Sequence, residues 1–471
     1  MSSQGAVVYA GVRGLIKLAL GFYFRRIERF HQDRVPPAGP VLFTSNHPNS
    51  LTDSFVIGAS VLRKVNFVAT VQLFRFAPLK WFLTKCGVIP INRLKDDPRG
   101  MRSIADTFEA CYAVLEKGEA VGIFPEGVTY EDSQLREVKT GAARMALELE
   151  HRHLGKLGLK VLPVGLTYAA KERYRSGALV NFGSPILVSD YVSNYGTERK
   201  ECIRKLTAEI EERLRGLIVD TPTLEQSRVV EGVKRLYLER LLLGNRVIHE
   251  PVSQAAEELL LTQAISRSVK QVYESQPVRA AEFARKLAHY EGWLKRLRVS
   301  DEALAHFPER HKLAGQSVLF GVIALLGAPL AACGWIHRCL PFAVVRFAQG
   351  RFIESGKKKA QASTAAIAAG IIAFGFFYSL YVYIVHLCFG WPVSFWYALT
   401  LPLASILAHY YLSHLSRLRH AVGNLFIFAR APIASKRLLQ TRARLIAEIE
   451  SVRAEMHQPK TATPISGGSL T

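Results

Sequence analysis

Two long stretches without a charged residue constrain this 471-residue chain more than any other feature. Residues 313–337 and 360–416 contain no Asp, Glu, Lys or Arg. A helix in the core of a water-soluble protein rarely stays uncharged for so long, because one of its faces meets solvent. A hydrocarbon span takes about 20 apolar residues, so the first run crosses at most once and the second can cross twice. We predict a C-terminal membrane helical hairpin with spans at 364–389 and 394–412, joined by residues 390–393.

The charges that flank these runs predict how the hairpin is oriented. Residues 338–359 carry six Lys or Arg against one acid, Glu354, and residues 417–456 carry eight against three. Basic flanks of membrane segments stay in the cytoplasm, which places residues 390–393 across the membrane. The first run is basic on both sides, so we predict an element bent near residues 327–329 that enters and leaves on the cytoplasmic face.

The overall charge narrows the class of partner. The chain carries 61 Lys and Arg against 39 Asp and Glu, a net charge of +22, which attracts either nucleic acid or an anionic membrane. It contains no zinc-finger spacing or nucleic-acid module, and a nucleic-acid binder leaves the uncharged runs unexplained. The six cysteines are scattered without a Cys-x-x-Cys pair, which predicts neither a disulfide framework nor a metal site.

The pattern along the chain predicts five regions. Residues 1–24 are apolar, but they carry Arg13 and Lys17 one helical turn apart, which favours an interfacial amphipathic helix; a core helix with outward-reaching cations is the alternative. Short apolar runs then alternate with helix-length segments, as in an α/β domain. The complete set is an interfacial helix at 1–24, an α/β domain at 25–220, a helical region at 221–312 that begins at Thr221-Pro222, a membrane region at 313–416, and a basic helical then disordered tail at 417–471.

Polar side chains follow several predicted strands of the α/β domain at the point where each strand ends. His47 follows the apolar run 39–44, Arg93 ends the run 87–93, and Glu126 follows the run 120–124. A further apolar strand is predicted at 160–168. Such strand ends are where α/β folds build sites. Asp53 is close enough in sequence to His47 to orient its imidazole and stabilise the imidazolium, as in a general base with an acidic partner.

Four segments resemble the conserved blocks of the glycerolipid acyltransferase family, in the order in which that family carries them. They are Asn46-His47 through Asp53, Gly87 through Arg93, Phe124-Pro125-Glu126-Gly127, and Val161-Leu162-Pro163-Val164. The resemblance covers about residues 25–220. It implies an α/β acyltransferase domain.

The sequence departs from the common family pattern at two points. Five residues separate His47 from Asp53, where four are usual, and this resembles the glycerol-3-phosphate and dihydroxyacetone-phosphate acyltransferase branch. The extra residue must be accommodated locally if Asp53 is to reach His47. Val128-Thr129 stands where many members carry Thr-Arg, so Lys139 is the candidate to replace the missing phosphate-binding cation.

The resemblance implies a function and residue roles. His47 with Asp53 would be the catalytic base, and Arg93, Glu126, Gly127 and Lys139 would bind the acceptor. The donor would be acyl-CoA or acyl carrier protein, and the acceptor glycerol 3-phosphate or dihydroxyacetone phosphate, with lysophosphatidate as the alternative. No cofactor or metal is implied. The basic flanks of the membrane segments, and not the resemblance, place the catalytic domain on the cytoplasmic side. A membrane scaffold that has lost the chemistry is the alternative from another class.

Overall fold

The computed structural model describes residues 3–75, 77–91, 101–127, 134–171, 173–245, 254–297, 299–305, 310–354, 361–430 and 432–457. Arg93 and the segment 128–133 lie outside these residues. The chain divides into two compact units. The first comprises residues 1–221, 252–263 and 330–408, and the second comprises residues 222–251, 264–329 and 409–471.

A mixed eight-stranded sheet forms the centre of the first unit and confirms the predicted α/β class. Its strands are β1 (Arg26–Phe30), β2 (Val41–Ser45), β3 (Val65–Thr70), β4 (Ile89–Ile91), β5 (Ala120–Ile123), β6 (Lys160–Tyr168), β7 (Gly177–Phe182) and β8 (Ile186–Leu187). The order is β1-β7-β6-β2-β5-β3-β4, and β8 pairs with β6. Strand β2 pairs in parallel with β5 and β6, and β3 with β4 and β5, whereas β7 and β8 run antiparallel to β6.

The position of β2 explains where a site can form. All five of its residues are buried, as expected for an apolar strand with parallel neighbours and covered faces. The chain passes from β5 on one side of β2 to β6 on the other, so the strand order switches at β2. Open α/β sheets bind ligands outside the carboxyl ends of their strands at such a switch point.

Helices cover both faces of the sheet and continue to the end of the described chain. They are α1 (Ser3–Tyr23), α2 (Leu51–Ser60), α3 (Ala77–Lys85), α4 (Met101–Leu115), α5 (Gly141–Arg152), α6 (Arg199–Leu217), α7 (Leu224–Asn245), α8 (Gln254–Ser275), α9 (Pro277–Leu297), α10 (Asp301–Ala305), α11 (Arg310–Glu354), α12 (Ala362–Arg430) and α13 (Pro432–His457). One core cluster joins α4, α5 and α6 to the sheet face that carries Leu42. The other cluster joins α1 and α2 to the face that carries Phe43, and it also contains Val345 of α11 and Ile367 of α12.

The N-terminal helix packs on the domain by its last turns. Leu20 and Tyr23 are buried in the core, whereas Leu15 and Leu18 are exposed. The guanidinium of Arg13 donates to the carbonyls of Val61 and Leu62, just after α2 ends. Arg13 therefore has a structural partner within the domain, and the interfacial role of α1 stays a prediction.

The predicted helical region is confirmed in its type and corrected at its start. Helices α7 to α10 occupy it, but α7 begins at Leu224, not at Thr221. The hydroxyl of Thr223 accepts a hydrogen bond from the Gln226 N–H at 3.1 Å. Thr223 therefore caps the helix, because a threonine hydroxyl satisfies one of the free N–H groups of the first turn.

The uncharged runs lie in two long helices that are apolar enough to cross a membrane by length and composition, at Gly327–Arg351 and Ala362–Ser416. Helix α12 has a non-helical residue at Gly390 (φ 74°), where the sequence predicted the turn between two spans. The backbone stays helical from Arg310 to Glu354, so residues 327–329 form no break in the helix, and the re-entrant course of this element stays a prediction.

Candidate active site

The side chain of Asn46 extends the hydrogen bonding of β2 beyond the end of the strand. The side-chain amide of Asn46 donates to the Leu166 carbonyl at 3.0 Å and accepts from the Leu166 N–H at 2.7 Å. This pair of bonds continues the β2–β6 pairing one residue beyond Ser45, where the ladder ends. The next residue, His47, therefore leaves the sheet in a defined direction.

His47 and Asp53 form the predicted pair. The His47 Nδ1 lies 2.9 Å from Asp53 Oδ2. The carboxylate is fully buried and accepts two further hydrogen bonds, from the Asn49 N–H at 2.7 Å and from the Tyr168 hydroxyl at 2.7 Å. A buried carboxylate held by three donors is fixed in position, and its charge is compensated. Because Nδ1 faces Asp53, the nitrogen left for proton transfer is Nε2.

An unusual backbone conformation at Ser50 accommodates the extra residue between His47 and Asp53. Ser50 adopts φ 53° and ψ −140° immediately before α2, a conformation that costs free energy for any residue with a Cβ. The Asp53 N–H donates to the Ser50 carbonyl at 3.0 Å, so the first turn of the helix closes on this residue. With this turn, Asp53 reaches His47 in spite of the longer spacing.

The predicted site residue Glu126 is 3% exposed and binds the backbone of two segments, the His47 loop and the segment before α5. One carboxylate oxygen accepts from the His47 N–H at 2.9 Å and the other from the Arg136 N–H at 3.3 Å. Burial raises the pKa of Glu126, although the two N–H donors and His47 oppose this effect. Both oxygens already have protein donors, so Glu126 holds His47 in place whether or not it also contacts a substrate.

One face of the imidazole is covered by an aromatic ring. The rings of His47 and Phe124 stack with centroids 3.9 Å apart and 14° between their planes. The His47 side chain is 17% exposed. Stacking and the Asp53 contact together leave the imidazole little freedom to rotate, and one edge remains accessible.

The remaining predicted residues fall in different places. Gly127 has φ +72°, and a Cβ built there would lie 2.8 Å from Lys139 Nζ. Lys139 is exposed, and its backbone N–H donates to the Pro125 carbonyl at 3.0 Å. The structure therefore brings an ammonium group against the turn that follows Glu126. Arg93 lies outside the described residues, so its role stays a prediction.

Sequence reasoning missed the residues that support the loop from other elements. The Tyr168 hydroxyl ends β6, and burial together with the Asp53 charge raises its pKa well above the ordinary value, so it remains a donor. In the first turn of α12, Ser363 donates to Asn49 Oδ1, and the Thr364 hydroxyl lies 3.0 Å from that of Thr52. Only Tyr168 had a signal in the sequence, because it is a polar residue at the end of a predicted strand.

Comparison with known proteins gives a consistent family. Residues 26–167 match the acyltransferase family. An uncharacterized acyltransferase of Schizosaccharomyces pombe is 35% identical over 125 residues, which is 26% of this chain and 18% of that protein. Glycerol-3-phosphate O-acyltransferase 1 of Saccharomyces cerevisiae is 31% identical over 127 residues, which is 26% of this chain and 17% of that protein.

A bacterial relative matches over a longer stretch. The 1-acyl-sn-glycerol-3-phosphate acyltransferase of Borreliella burgdorferi is 26% identical over 177 residues, which is 38% of this chain and 65% of that protein. The chain thus spans less than a fifth of the two yeast relatives and about two thirds of the bacterial one.

Proposed function

Because residues 26–167 match the acyltransferase family, we propose that this chain transfers an acyl group from acyl-CoA to the hydroxyl of glycerol 3-phosphate. The observation that carries the proposal is the contact of 2.9 Å between His47 Nδ1 and the fully buried Asp53 carboxylate. This contact leaves Nε2 as the base. Dihydroxyacetone phosphate, which offers a similar hydroxyl and phosphate, is an allied acceptor, and acyl carrier protein is an alternative donor.

The proposed reaction needs a base that accepts the proton of the acceptor hydroxyl and then gives it to the leaving thiolate. His47 Nε2 takes the proton of the acceptor hydroxyl while its oxygen attacks the thioester carbonyl carbon. A C–O bond forms, the C–S bond breaks, and the leaving thiolate takes the proton back from the imidazolium. Asp53 stabilises the imidazolium through Nδ1, and this stabilisation is largest when the charge has formed. The thioester is already activated, so no protein nucleophile is required.

The acceptor phosphate requires a cation, and the geometry offers Lys139 beside Gly127. Lys139 is exposed, so its ammonium can act as a point charge at the surface of the site. Arg93 is the second proposed contact, since a guanidinium can bind a phosphate with two parallel hydrogen bonds. Glu126 is proposed to position His47, and a hydrogen bond from a substrate hydroxyl would use a remaining lone pair.

Lysophosphatidate is the second candidate acceptor. The similarity to a relative named 1-acyl-sn-glycerol-3-phosphate acyltransferase supports it, as does the proposed membrane placement, because this acceptor is a lipid. A scaffold without chemistry would have no need of a buried carboxylate with three donors beside an accessible imidazole.

The proposed location is the membrane, with the catalytic domain on the cytoplasmic side. Helix α12 exposes large apolar side chains along its length, including Ile372 (73%), Leu387 (67%) and Trp396 (68%). A face of this size in a soluble monomer would be covered by protein, whereas lipid covers it without cost.

The orientation can be tested by labelling single cysteines in a chain whose six native cysteines have been removed. We expect Val393→Cys, near the Gly390 turn, to react only from the non-cytoplasmic side and Lys436→Cys only from the cytoplasmic side. Labelling of both from one face would reject the hairpin.

The reaction itself is tested by an acyl-transfer assay on detergent-purified full-length protein, with each acceptor offered separately. We expect His47→Ala to lose nearly all turnover and Asp53→Asn to lose a factor of about 10³–10⁴. His151→Ala, which changes an exposed histidine on α5, is the matched control and should keep normal turnover. Normal turnover in His47→Ala would refute the assignment of the base, and transfer only to lysophosphatidate would select the second acceptor.

A further inference from the structure

Helix α11 carries an arginine at a position where its packing face is otherwise apolar. The buried residues of this face recur every three or four positions, and they are Ala331, Gly334, Arg338, Pro341 and Val345. Arg338 is 8% exposed, whereas Arg346 on the same helix is exposed. Arg338 therefore lies within the helix packing of the first unit. A charge in a basic flank would instead extend to the surface, as Arg346 does.

The structure shows little compensation for this charge. One guanidinium nitrogen donates to the Ser405 carbonyl at 3.4 Å, a long hydrogen bond, and the group lies 4.8 Å from the Phe342 ring centre. Among the described residues no carboxylate lies within ion-pair distance of it. Residues 313–416 contain a single acid, Glu354, about 24 Å further along α11. A guanidinium has five N–H donors, and the Ser405 carbonyl engages only one of its nitrogens. A charge that is largely removed from water without an opposite charge beside it is costly.

The groups around Arg338 suit an anion with an apolar body. The buried hydroxyl of Tyr378 lies near Arg338 and beside the Ser405 side chain. The hydroxyl of Tyr174 is also near the guanidinium, and the Tyr174 ring packs against Phe342. On the opposite side of α11, Trp335, Leu340 and Phe347 are exposed. The guanidinium thus has two tyrosine hydroxyls nearby, one from α12 and one from the β6–β7 loop, and the outer surface of α11 is apolar.

We propose that Arg338, with the Tyr378 hydroxyl, binds the anionic phosphate headgroup of a membrane phospholipid, whose acyl chains lie along the apolar surface of α11 and α12. A charged residue within membrane helices is expensive unless it is paired or has a function. A phosphate supplies the missing negative charge and can accept two hydrogen bonds from the guanidinium. This site is separate from the His47 loop and rests on the proposed membrane placement, not on the proposed acyl transfer.

The test uses the full-length protein in a neutral detergent and dioctanoyl phosphatidylglycerol, which is neither a substrate nor a product of the proposed reaction. Binding is measured as the rise of the thermal unfolding midpoint with lipid concentration, since a ligand that binds the folded state stabilises it. We expect Arg338→Met to bind at least about tenfold more weakly and Arg338→Lys to bind with intermediate affinity. Arg346→Met is the matched control, and its binding should be unchanged.

A second readout separates a binding role from a purely structural one. Without anionic lipid, Arg338→Met should be as stable as the wild type or more stable, because an uncompensated buried charge has been removed. If Arg338→Met is too unstable to purify, the affinity of Arg338→Lys still decides the outcome. Equal lipid affinity in the wild type and the Arg338 variants would overturn the proposal. An equal response to dioctanoylglycerol, or displacement of the lipid by inorganic phosphate, would overturn the assignment of a lipid headgroup.

Discussion

Ser363, in the first turn of α12, donates a hydrogen bond to Asn49 in the loop that carries His47. We therefore predict that Ser363 influences the turnover rate. Ser363 and Asn49 are 1% and 0% exposed. Ser363→Ala removes the donor and leaves the Asn49 side-chain oxygen in a place that water does not reach, which costs about 1–3 kcal/mol. The loop can relieve this cost only by moving Asn49, whose backbone N–H holds the Asp53 carboxylate at 2.7 Å.

If about 1–2 kcal/mol of this cost appears in the transition state, kcat falls roughly 5- to 30-fold. The Michaelis constants of both substrates should change little, because Ser363 is not placed to contact either of them. Ser363→Thr retains the hydroxyl and should recover most of the activity. The assay is steady-state acyl transfer on detergent-purified full-length protein, with folding checked by thermal unfolding.

Helix α12 offers a matched control for this prediction. Ser394 is also fully buried, but its hydroxyl donates at 2.7 Å to the Gly390 carbonyl of its own helix. Ser394→Ala should therefore leave kcat within about twofold of the wild type, since intrahelical hydroxyl bonds contribute little. Equal kcat values in Ser363→Ala and Ser394→Ala would refute the link between α12 and the catalytic loop.

Three further predictions concern the site itself. Tyr168→Phe removes one of three donors to buried Asp53, a hydrogen bond to a charged group worth about 1.5–3 kcal/mol, so kcat should fall roughly 10- to 100-fold while acceptor KM changes little; an unchanged kcat would refute the role of this hydroxyl. Lys139→Ala should raise the KM of the phosphate acceptor by about tenfold and leave that of acyl-CoA unchanged, and an equal rise in both would point to a structural role. Burial raises the pKa of Glu126 in the folded protein, so the folded state binds the carboxyl proton more tightly than the unfolded chain does. The stabilisation that this proton gives the folded state is lost as the pH rises through the raised pKa. The thermal midpoint of Glu126→Gln minus that of the wild type should accordingly become more positive from about pH 4 to about pH 7, and a constant difference would contradict the effect of burial.

The local pattern of the sequence was sufficient to locate the strands that carry the site. Alternating apolar and polar segments predicted β2, β5 and β6, and the polar residues after them predicted His47 and Glu126. This works because a parallel strand buried on both faces must be continuously apolar, whereas the residue after it is free to be polar. The same reasoning predicted a turn at Gly390, since a long apolar run must reverse to cross a membrane twice.

Sequence reasoning was less accurate where helix geometry depends on packing. The Gly327-Ala328-Pro329 segment predicted a bend, yet α11 stays helical through it. Arg338, counted from the sequence among the charges of a basic flank, is buried in the packing face of that helix. Composition gives the number of charges in a segment, but the rotation of a helix about its axis decides which of them are buried.

The sequence by itself determined the strands that lead to the site and the chemical groups that follow them. The tertiary structure alone decided which groups meet. Tyr168 reaches Asp53 across 115 positions, and Ser363 reaches Asn49 across 314. Such contacts leave no periodic pattern in the sequence. A hydrogen bond between distant segments depends on strand register and helix position, and neither can be inferred from a single serine or tyrosine. For the same reason the sequence named Glu126 as a site residue, but only the fold showed that its carboxylate holds the backbone of His47.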